Sequence, residues 1–156
     1  GALDVPFKML LSVVLVTMAT AILYPALQAY QETEMEHRVG LTMAEIEASV
    51  LAVHRHPGSS RTVLVDVPSS GGIRLEGLTI GGDLDGPLSE VGTIGWELSS
   101  GASGTHLVAS STGPVPMAGP GGGAVGVDAF PCLLVFEASP CPPGSAYRGF
   151  VQVTVA

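Results

Sequence analysis

The sequence predicts an α+β fold, in which a long N-terminal helix, hydrophobic at first and amphipathic later, precedes a C-terminal antiparallel β-sandwich-like domain. Two observations predict this arrangement. Residues 9–31 carry no charge, and the chain after Pro57 divides into short apolar segments separated by Gly, Pro and Ser clusters. We predict the helix over residues 1–57 and the β domain over residues 58–156.

The uncharged segment at residues 9–31 has the length of a membrane-spanning helix. At about 1.5 Å per residue it would extend roughly 35 Å. It could be a transmembrane anchor, a signal peptide, or a helix buried among copies of itself. A signal peptide fits less well, because its apolar part is usually about 7–15 residues long and no A-x-A pattern follows here. The chain begins with Gly1 and not Met, which suggests that a leader has been removed.

Residues 32–57 continue this helix in amphipathic form. Apolar residues recur at steps of three and four and trace one stripe, which comprises Met35, Val39, Met43, Ile46, Val50 and Val53. Nothing between Tyr30 and Thr33 breaks a helix, so we predict that residues 1–31 and 32–57 form one continuous element. The sequence "HRHPGSS" ends it, since Pro57 and Gly58 cannot continue the helix.

Short strands are predicted throughout the remainder of the chain. Apolar and polar residues alternate, or apolar residues cluster, in "RTVLVDVP", "IRLEGLTIGG", "TIGWELSSG", "THLVASS", "PCLLVFEAS" and "GFVQVTVA". Six or seven such strands with turn signals between them indicate a small antiparallel sandwich or barrel. The Gly-rich stretch 111–126 is predicted to be a surface loop, and Trp96 is predicted to pack in the core.

The charge balance argues against several kinds of partner. The net charge is −8 and only six residues are Lys or Arg, so clustered cations for nucleic-acid phosphates are lacking. The chain contains no Asn and three Gln, which is a mark of heat-adapted proteins or of genomic bias. Without Asn there is no N-linked glycosylation site, whereas exposed Ser and Thr could carry O-linked sugars.

Few residues are candidates for chemistry, and we predict neither an enzyme nor a cofactor. Cys132 and Cys141 are an even pair and predict one disulfide if the chain is extracellular; two free buried thiols are the alternative. His54 and His56 fit the end of a helix better than a metal site. "GGDLDGP", with Asp83 and Asp85, lacks the downstream acid of a calcium loop and reads as a turn. No catalytic or phosphate-binding motif is present.

The start of the chain, "GALDVPFKMLLSVVLVTMATAILYPALQAYQ", places an acid, a proline and a lysine directly ahead of the apolar segment. With the amphipathic continuation and the β domain, it resembles the type IV pilin-like family, in particular archaeal adhesion-type pilins. Bacterial members begin with a methylated Phe and have Glu at the fifth position, where this chain has Gly1 and Val5. The chain also lacks the "GTLI"-type opening of archaellins, which favours a pilus over a swimming filament.

The resemblance implies a structural subunit that polymerises through its apolar helix into an extracellular filament used for adhesion. It implies partners of four kinds: identical subunits, the membrane before assembly, a leader peptidase and a pilus assembly machinery. The residues that it implies for assembly are Gly1, Asp4, Pro6, Lys8, Leu11, Val14, Met18, Ile22 and Pro25. Pro25 would bend the helix or be a neutral residue near the interface. Asp4 would neutralise the N-terminal amine of a neighbour or simply pair with Lys8.

Three alternatives remain for the function. The chain could be a surface-binding module held by a single transmembrane helix, a minor pilin that primes or caps filaments, or an archaellin. The amphipathic continuation favours a filament subunit, because a monomeric module usually stands on a flexible, Pro- or Ser-rich linker.

Overall fold

The computed structural model describes all 156 residues and confirms the α+β fold. One helix, α1 (Asp4–Arg55), is followed by ten strands and a short helix, α2 (Leu88–Val91). The strands are β1 (Ser60–Val65), β2 (Leu75–Ile80), β3 (Thr93–Leu98), β4 (Ser103–Leu107), β5 (Ala109–Ser110), β6 (Gly113–Pro114), β7 (Met117–Ala118), β8 (Val125–Val127), β9 (Cys132–Pro140) and β10 (Gly149–Val155).

Helix α1 is continuous over 52 residues. Pro6 lies in its first turn, where a backbone N–H has no helical partner, and Pro25 lies in its interior. The helix ends as the sequence predicts: the His56 N–H donates to the Ala52 carbonyl at 3.2 Å, and Gly58 adopts a φ of 92° that L-residues rarely adopt.

The strands form two four-stranded sheets and one small hairpin. The first sheet has the order β1-β9-β10-β7, the second has the order β4-β3-β2-β8, and β5 pairs with β6. All pairs are antiparallel except β7 with β10, which is parallel. All six segments predicted as strands contain one.

The core joins the second half of α1 to both sheets. The six residues of the predicted stripe are all buried, at 1% exposure or less, which confirms the periodicity. They belong to one cluster of 22 buried residues that takes its other members from β1, β2, β3, β7, β8, β9, β10 and adjoining segments. Phe136, on β9, is the largest fully buried side chain. No side chain before Met35 contributes to this cluster.

Strand β1 runs back along α1, which gives the β region two ends. The end beside residues 31–38 of α1 we call the near end; there Arg38 donates to the carbonyls of Pro68 and Ser69 at 3.0 and 3.1 Å. The opposite end, beside residues 54–58, we call the far end. Strand β1 ends at the near end with Val65. Because Val65 pairs with Cys132, the first residue of the antiparallel strand β9, β9 starts at the near end.

The prediction of a surface loop over residues 111–126 is wrong for its middle part. Val115, Met117 and Ala118 are fully buried, and β7 pairs with β10. Strand β7 is therefore an edge strand of the first sheet, although the Pro and Gly residues around it are typical of a loop. Trp96 is partly buried and packs against the core. It lies over Gly104, where a Cβ atom would come within 2.4 Å of its ring.

The predicted disulfide between Cys132 and Cys141 is also wrong: both cysteines are free. Cys132 begins β9 at the near end, and Cys141 directly follows the last residue of that strand. An extended strand rises about 3.3 Å per residue, so nine steps separate the two Cα atoms by roughly 30 Å, whereas a disulfide needs about 4.4–6.8 Å.

We expect the two thiols to differ in reactivity. Burial raises the pKa of the Cys132 thiol, so less thiolate is present at a given pH, whereas Cys141 is only half-buried. Iodoacetamide at pH 8 should therefore alkylate Cys141 several-fold faster than Cys132. Peptide mass spectrometry of the non-reduced protein would measure both rates. Recovery of a peptide linked through Cys132 and Cys141 of one chain would contradict the strand geometry.

Candidate functional site

The most unusual surface of this protein is the first part of α1. Every residue from 1 to 30, which we call the tail, is exposed, whereas residues 31–156, which we call the head, contain the core. Sixteen of the twenty-one exposed large hydrophobic side chains belong to the tail and five to the head. An 18-residue window of α1 has a mean hydropathy of 2.1 with none of it buried, so the helix is long and apolar enough to cross a membrane.

The predicted assembly residues of the tail interior share one face. Leu11, Val14, Met18, Ile22 and Pro25 follow one another at steps of three and four, which places them along one side of a helix. The four aliphatic side chains are 47%, 45%, 60% and 72% exposed in that order. The structure therefore aligns them, and none is covered by the head.

The predicted residues at the start of the tail form a local ion pair. Nζ of Lys8 lies 2.9 Å from Oδ2 of Asp4, one helical turn away. Both side chains are exposed, so in water this pair contributes a few tenths of a kcal/mol at most. The carbonyl of Gly1 accepts the N–H of Asp4 at 3.1 Å, and Pro6 completes the first turn.

The three small hydroxyl side chains within the tail are hydrogen-bonded to the helix itself. The hydroxyls of Ser12, Thr17 and Thr20 donate to the carbonyls four residues earlier, at 2.9, 2.7 and 2.8 Å. These bonds satisfy every side-chain donor of residues 9–23, whereas the hydroxyls of Tyr24 and Tyr30 are exposed at the end of the tail that adjoins the head. Residues 9–23 can therefore enter lipid, or contact another apolar helix, without burying an unsatisfied side-chain donor.

Pro25 lies where the tail meets the head. It has no N–H, so the carbonyl of Ala21 lacks the donor that an unbroken ladder would supply. The helix nevertheless continues through it. A groove separates Pro25 and Ala29 from two loops of the near end, which contribute Gly71 and Ser99.

A loop of the head is fastened to the part of α1 that directly follows the tail. Glu34 pairs with Arg38 at 2.5 Å and accepts a hydrogen bond from the Ser70 hydroxyl at 3.2 Å. Gly71 has a φ of 58°, and a Cβ atom there would lie 2.0 Å from the side chain of Gln31. The positive φ favours glycine at this position. No flexible linker therefore separates the tail from the head.

The sequence analysis did not identify a second polar contact, between α1 and the second sheet. Nε2 of His106, on β4, lies 2.5 Å from Oε2 of Glu47, and both side chains are about one-third exposed. The helical stripe identifies Glu47 as lying off the core face, but nothing in the sequence indicates which strand faces it.

The other candidate residues occupy structural positions. His54 lies in the last turn of α1 and His56 directly follows it. Asp83 accepts the N–H of Asp85 at 3.0 Å, which forms the predicted turn. No three His, Cys, Asp or Glu side chains lie close enough together to hold a metal ion.

The site is thus an apolar helical surface, and it contains no arrangement of reactive groups. Such a surface acts through the hydrophobic effect: each large side chain that becomes buried stabilises the assembly or membrane-bound state by about 1.5–3 kcal/mol. Comparisons of this chain with protein-family models, curated proteins and solved structures find no match.

Proposed function

We propose that this protein is a pilin-like structural subunit that polymerises through its tail into an extracellular, type IV pilus-like filament used in adhesion. The proposal rests on the resemblance of its first residues to archaeal adhesion-type pilins. It is supported by one observation above all: an entirely exposed apolar helix continues without a linker into the core of a folded head.

The physical argument concerns where such a tail can reside. In water its sixteen large hydrophobic side chains would drive non-specific association. In a membrane the tail is solvated by lipid, and in a filament it is covered by other tails. The membrane would hold the subunit before assembly, and a leader peptidase and an assembly machinery would act there.

A rigid junction suits a filament better than a simple anchor. When tails pack side by side, each head takes a fixed position relative to its neighbours only if it cannot rotate about its own tail. Helix α1 runs without a break from the tail into the head, and the contacts of Gln31 and Arg38 with the loop at residues 68–71 hold its first head residues in place. A monomeric module on a membrane anchor has no need of such a junction.

Electron microscopy of material sheared from the source cells tests the proposal. We expect thin filaments whose main protein band carries the sequence "GALDVPFK". A chain that stays with the membrane until detergent releases it, with no filaments in the sheared fraction, would instead support the single-helix anchor.

A matched pair of variants tests whether the tail drives assembly. Val14→Asp places a charge on the tail face that carries Leu11 and Met18, whereas Ala48→Asp places one on the exposed side of α1 in the head. A charge buried among apolar helices costs several kcal/mol. We therefore expect Val14→Asp to abolish filaments and Ala48→Asp to retain them, and equal assembly by both variants would contradict the proposal.

A further inference from the structure

Two strands of the head lack a partner on one side. Strand β1 stands at one edge of the first sheet, and β4 stands at one edge of the second. The opposite edges are closed or short: the Met117 carbonyl of β7 accepts the N–H of Gly82 at 3.3 Å, and β8 has three residues. Strands β1 and β4, with six and five residues, are therefore the open edges of the head.

The register of β4 shows which of its backbone groups point outward. The Val108 N–H, one residue beyond the strand, donates to the Gly92 carbonyl at 2.9 Å. In an antiparallel pair, alternate residues bond to the partner strand and the others point away from it. Ser103, Thr105 and Leu107 therefore direct their N–H and C=O groups to the open side. All three residues are exposed, and no loop of the head bonds to these groups.

Strand β1 is arranged in the same way. The Ala156 N–H donates to the Leu133 carbonyl at 2.9 Å, so the odd-numbered residues of β9 bond to β10 and the even-numbered residues bond to β1. Ser60, Thr62 and Leu64 of β1 consequently direct their N–H and C=O groups to the open side. These three residues are also exposed.

The two open edges carry the same residues. The outward positions are Ser, Thr and Leu in both strands, within "SRTVL" on β1 and "SGTHL" on β4. Neither strand contains Pro, Lys or a β-bulge, which protect many edge strands from pairing, and Arg61 is the only charged residue in either. Such an edge fits an extended strand, because a strand supplies donors and acceptors at the same spacing.

The two open edges run in opposite directions along α1. Strand β1 runs from the far end to the near end. Strand β4 begins at the near end, because its turn from β3 contributes Ser99 to the groove beside Pro25. It then passes Glu47 of α1 at His106, farther from the tail. Antiparallel pairing of β1 in one copy with β4 in another therefore leaves both tails pointing the same way, whereas antiparallel pairing of either edge with itself turns the two tails in opposite directions.

We propose that the open edge of β1 in one head pairs with the open edge of β4 in the head of a second copy of this chain. The inference rests on the proposed function, because a filament of parallel tails selects this pairing over the pairing of an edge with itself. The shared pattern sets the register: Thr62 lies opposite Thr105, a favourable cross-strand pair, and each Ser lies opposite a Leu. Each of these facing pairs exchanges both of its backbone hydrogen bonds.

The edge contact complements the tail. A single pair of short strands is marginal in water, so the tails supply the driving force and the edges select which neighbouring heads touch. Each head has one β1 edge and one β4 edge, so the contact joins two different surfaces and can be repeated from copy to copy along a filament.

Proline at the centre of each edge tests the contact in the full chain. Thr62→Pro and Thr105→Pro each remove an outward N–H that is not bonded within the head, a position at which edge strands tolerate proline. Thr62→Val and Thr105→Val are the matched controls, because valine retains the N–H and suits a strand. Circular dichroism in detergent would verify the fold of all four variants.

The measured quantity is the protein concentration at which filaments form after removal of the detergent, by sedimentation and electron microscopy of the pellet. We expect each Pro variant to need on the order of ten-fold more protein than the wild type, and each Val variant to assemble like the wild type. Normal assembly of both Pro variants overturns the edge contact but leaves the tail-driven filament intact. Absence of filaments from the wild type itself overturns both proposals.

A cross-link between copies identifies the paired strands directly. One chain carries Thr62→Cys and another carries Thr105→Cys, both with Cys141→Ser, and the two are mixed in detergent before assembly. The Cα atoms of a hydrogen-bonded pair lie about 5.5 Å apart, which suits a disulfide. We expect mild oxidation of the filaments to link the two different chains at these positions, as peptide mass spectrometry would show. Links formed mainly between copies of the same variant, or no link in assembled filaments, overturn the edge contact.

Discussion

A chain shortened to residues 31–156 is expected to remain folded and monomeric in water without detergent. All 22 residues of the main core cluster lie between Met35 and Val153, so removal of the tail leaves this cluster complete. The cut also removes sixteen exposed large hydrophobic side chains. Analytical ultracentrifugation and circular dichroism would measure the mass and the secondary structure of the shortened chain.

The full chain is the control for this experiment. At the same concentration, and without detergent, it should sediment as large assemblies because its tail has nothing else to cover it. A shortened chain that unfolds would show that the tail stabilises the head. A shortened chain that still forms large assemblies would place the self-associating surface in the head.

Substitution of Phe136 by Ala is expected to destabilise the head by about 3–5 kcal/mol. Phe136 is fully buried on β9, between β1 and β10, and its removal leaves a cavity against the stripe of α1 and both neighbouring strands. This loss is a large part of the 5–15 kcal/mol that typically stabilises a domain. Urea unfolding of the shortened chain, followed by tryptophan fluorescence from Trp96, would measure it.

Leu133→Ala on the same strand provides the comparison. Leu133 points to the outer face and is 41% exposed, so its truncation should cost no more than about 1 kcal/mol. Equal effects of the two substitutions would mean that β9 does not present Phe136 to the core in solution.

The helix could be read from the sequence because its pattern is local. The steps of three and four from Met35 to Val53 fix which side of α1 is buried, and the absence of charge from Met9 to Gln31 identifies the segment that the head leaves exposed. Both are properties of neighbouring residues, and no knowledge of the sheets is needed to predict them.

The arrangement of the strands could not be read in this way. Alternation identifies each of the six segments, but the division into two sheets depends on contacts between distant parts of the chain. Residues 113–118 were missed because Gly and Pro usually mark loops. Val115 and Met117 were the available signal: two apolar residues at a spacing of two inside a Pro- and Gly-rich segment.

The disulfide prediction failed for a similar reason. An even number of cysteines says nothing about whether the chain between them turns back or extends, and here the segment after Cys132 is one straight strand. The residues "LLVFEAS" between the two cysteines already carry the alternation of that strand. Strand prediction and cysteine pairing therefore contradict each other within the sequence, and the strand prediction was the reliable one.

The place of β10 in the first sheet has a consequence for the order of events during synthesis. This strand is the last of the ten, yet it lies between β9 and β7 and contributes Val151 and Val153 to the core. Until β10 has left the ribosome, β9 lacks one partner and β7 lacks its only one. The tail, in contrast, emerges first and needs no later residue to become helical and apolar. If the tail enters a membrane as proposed, it can therefore do so while the head still lacks a central strand of its first sheet.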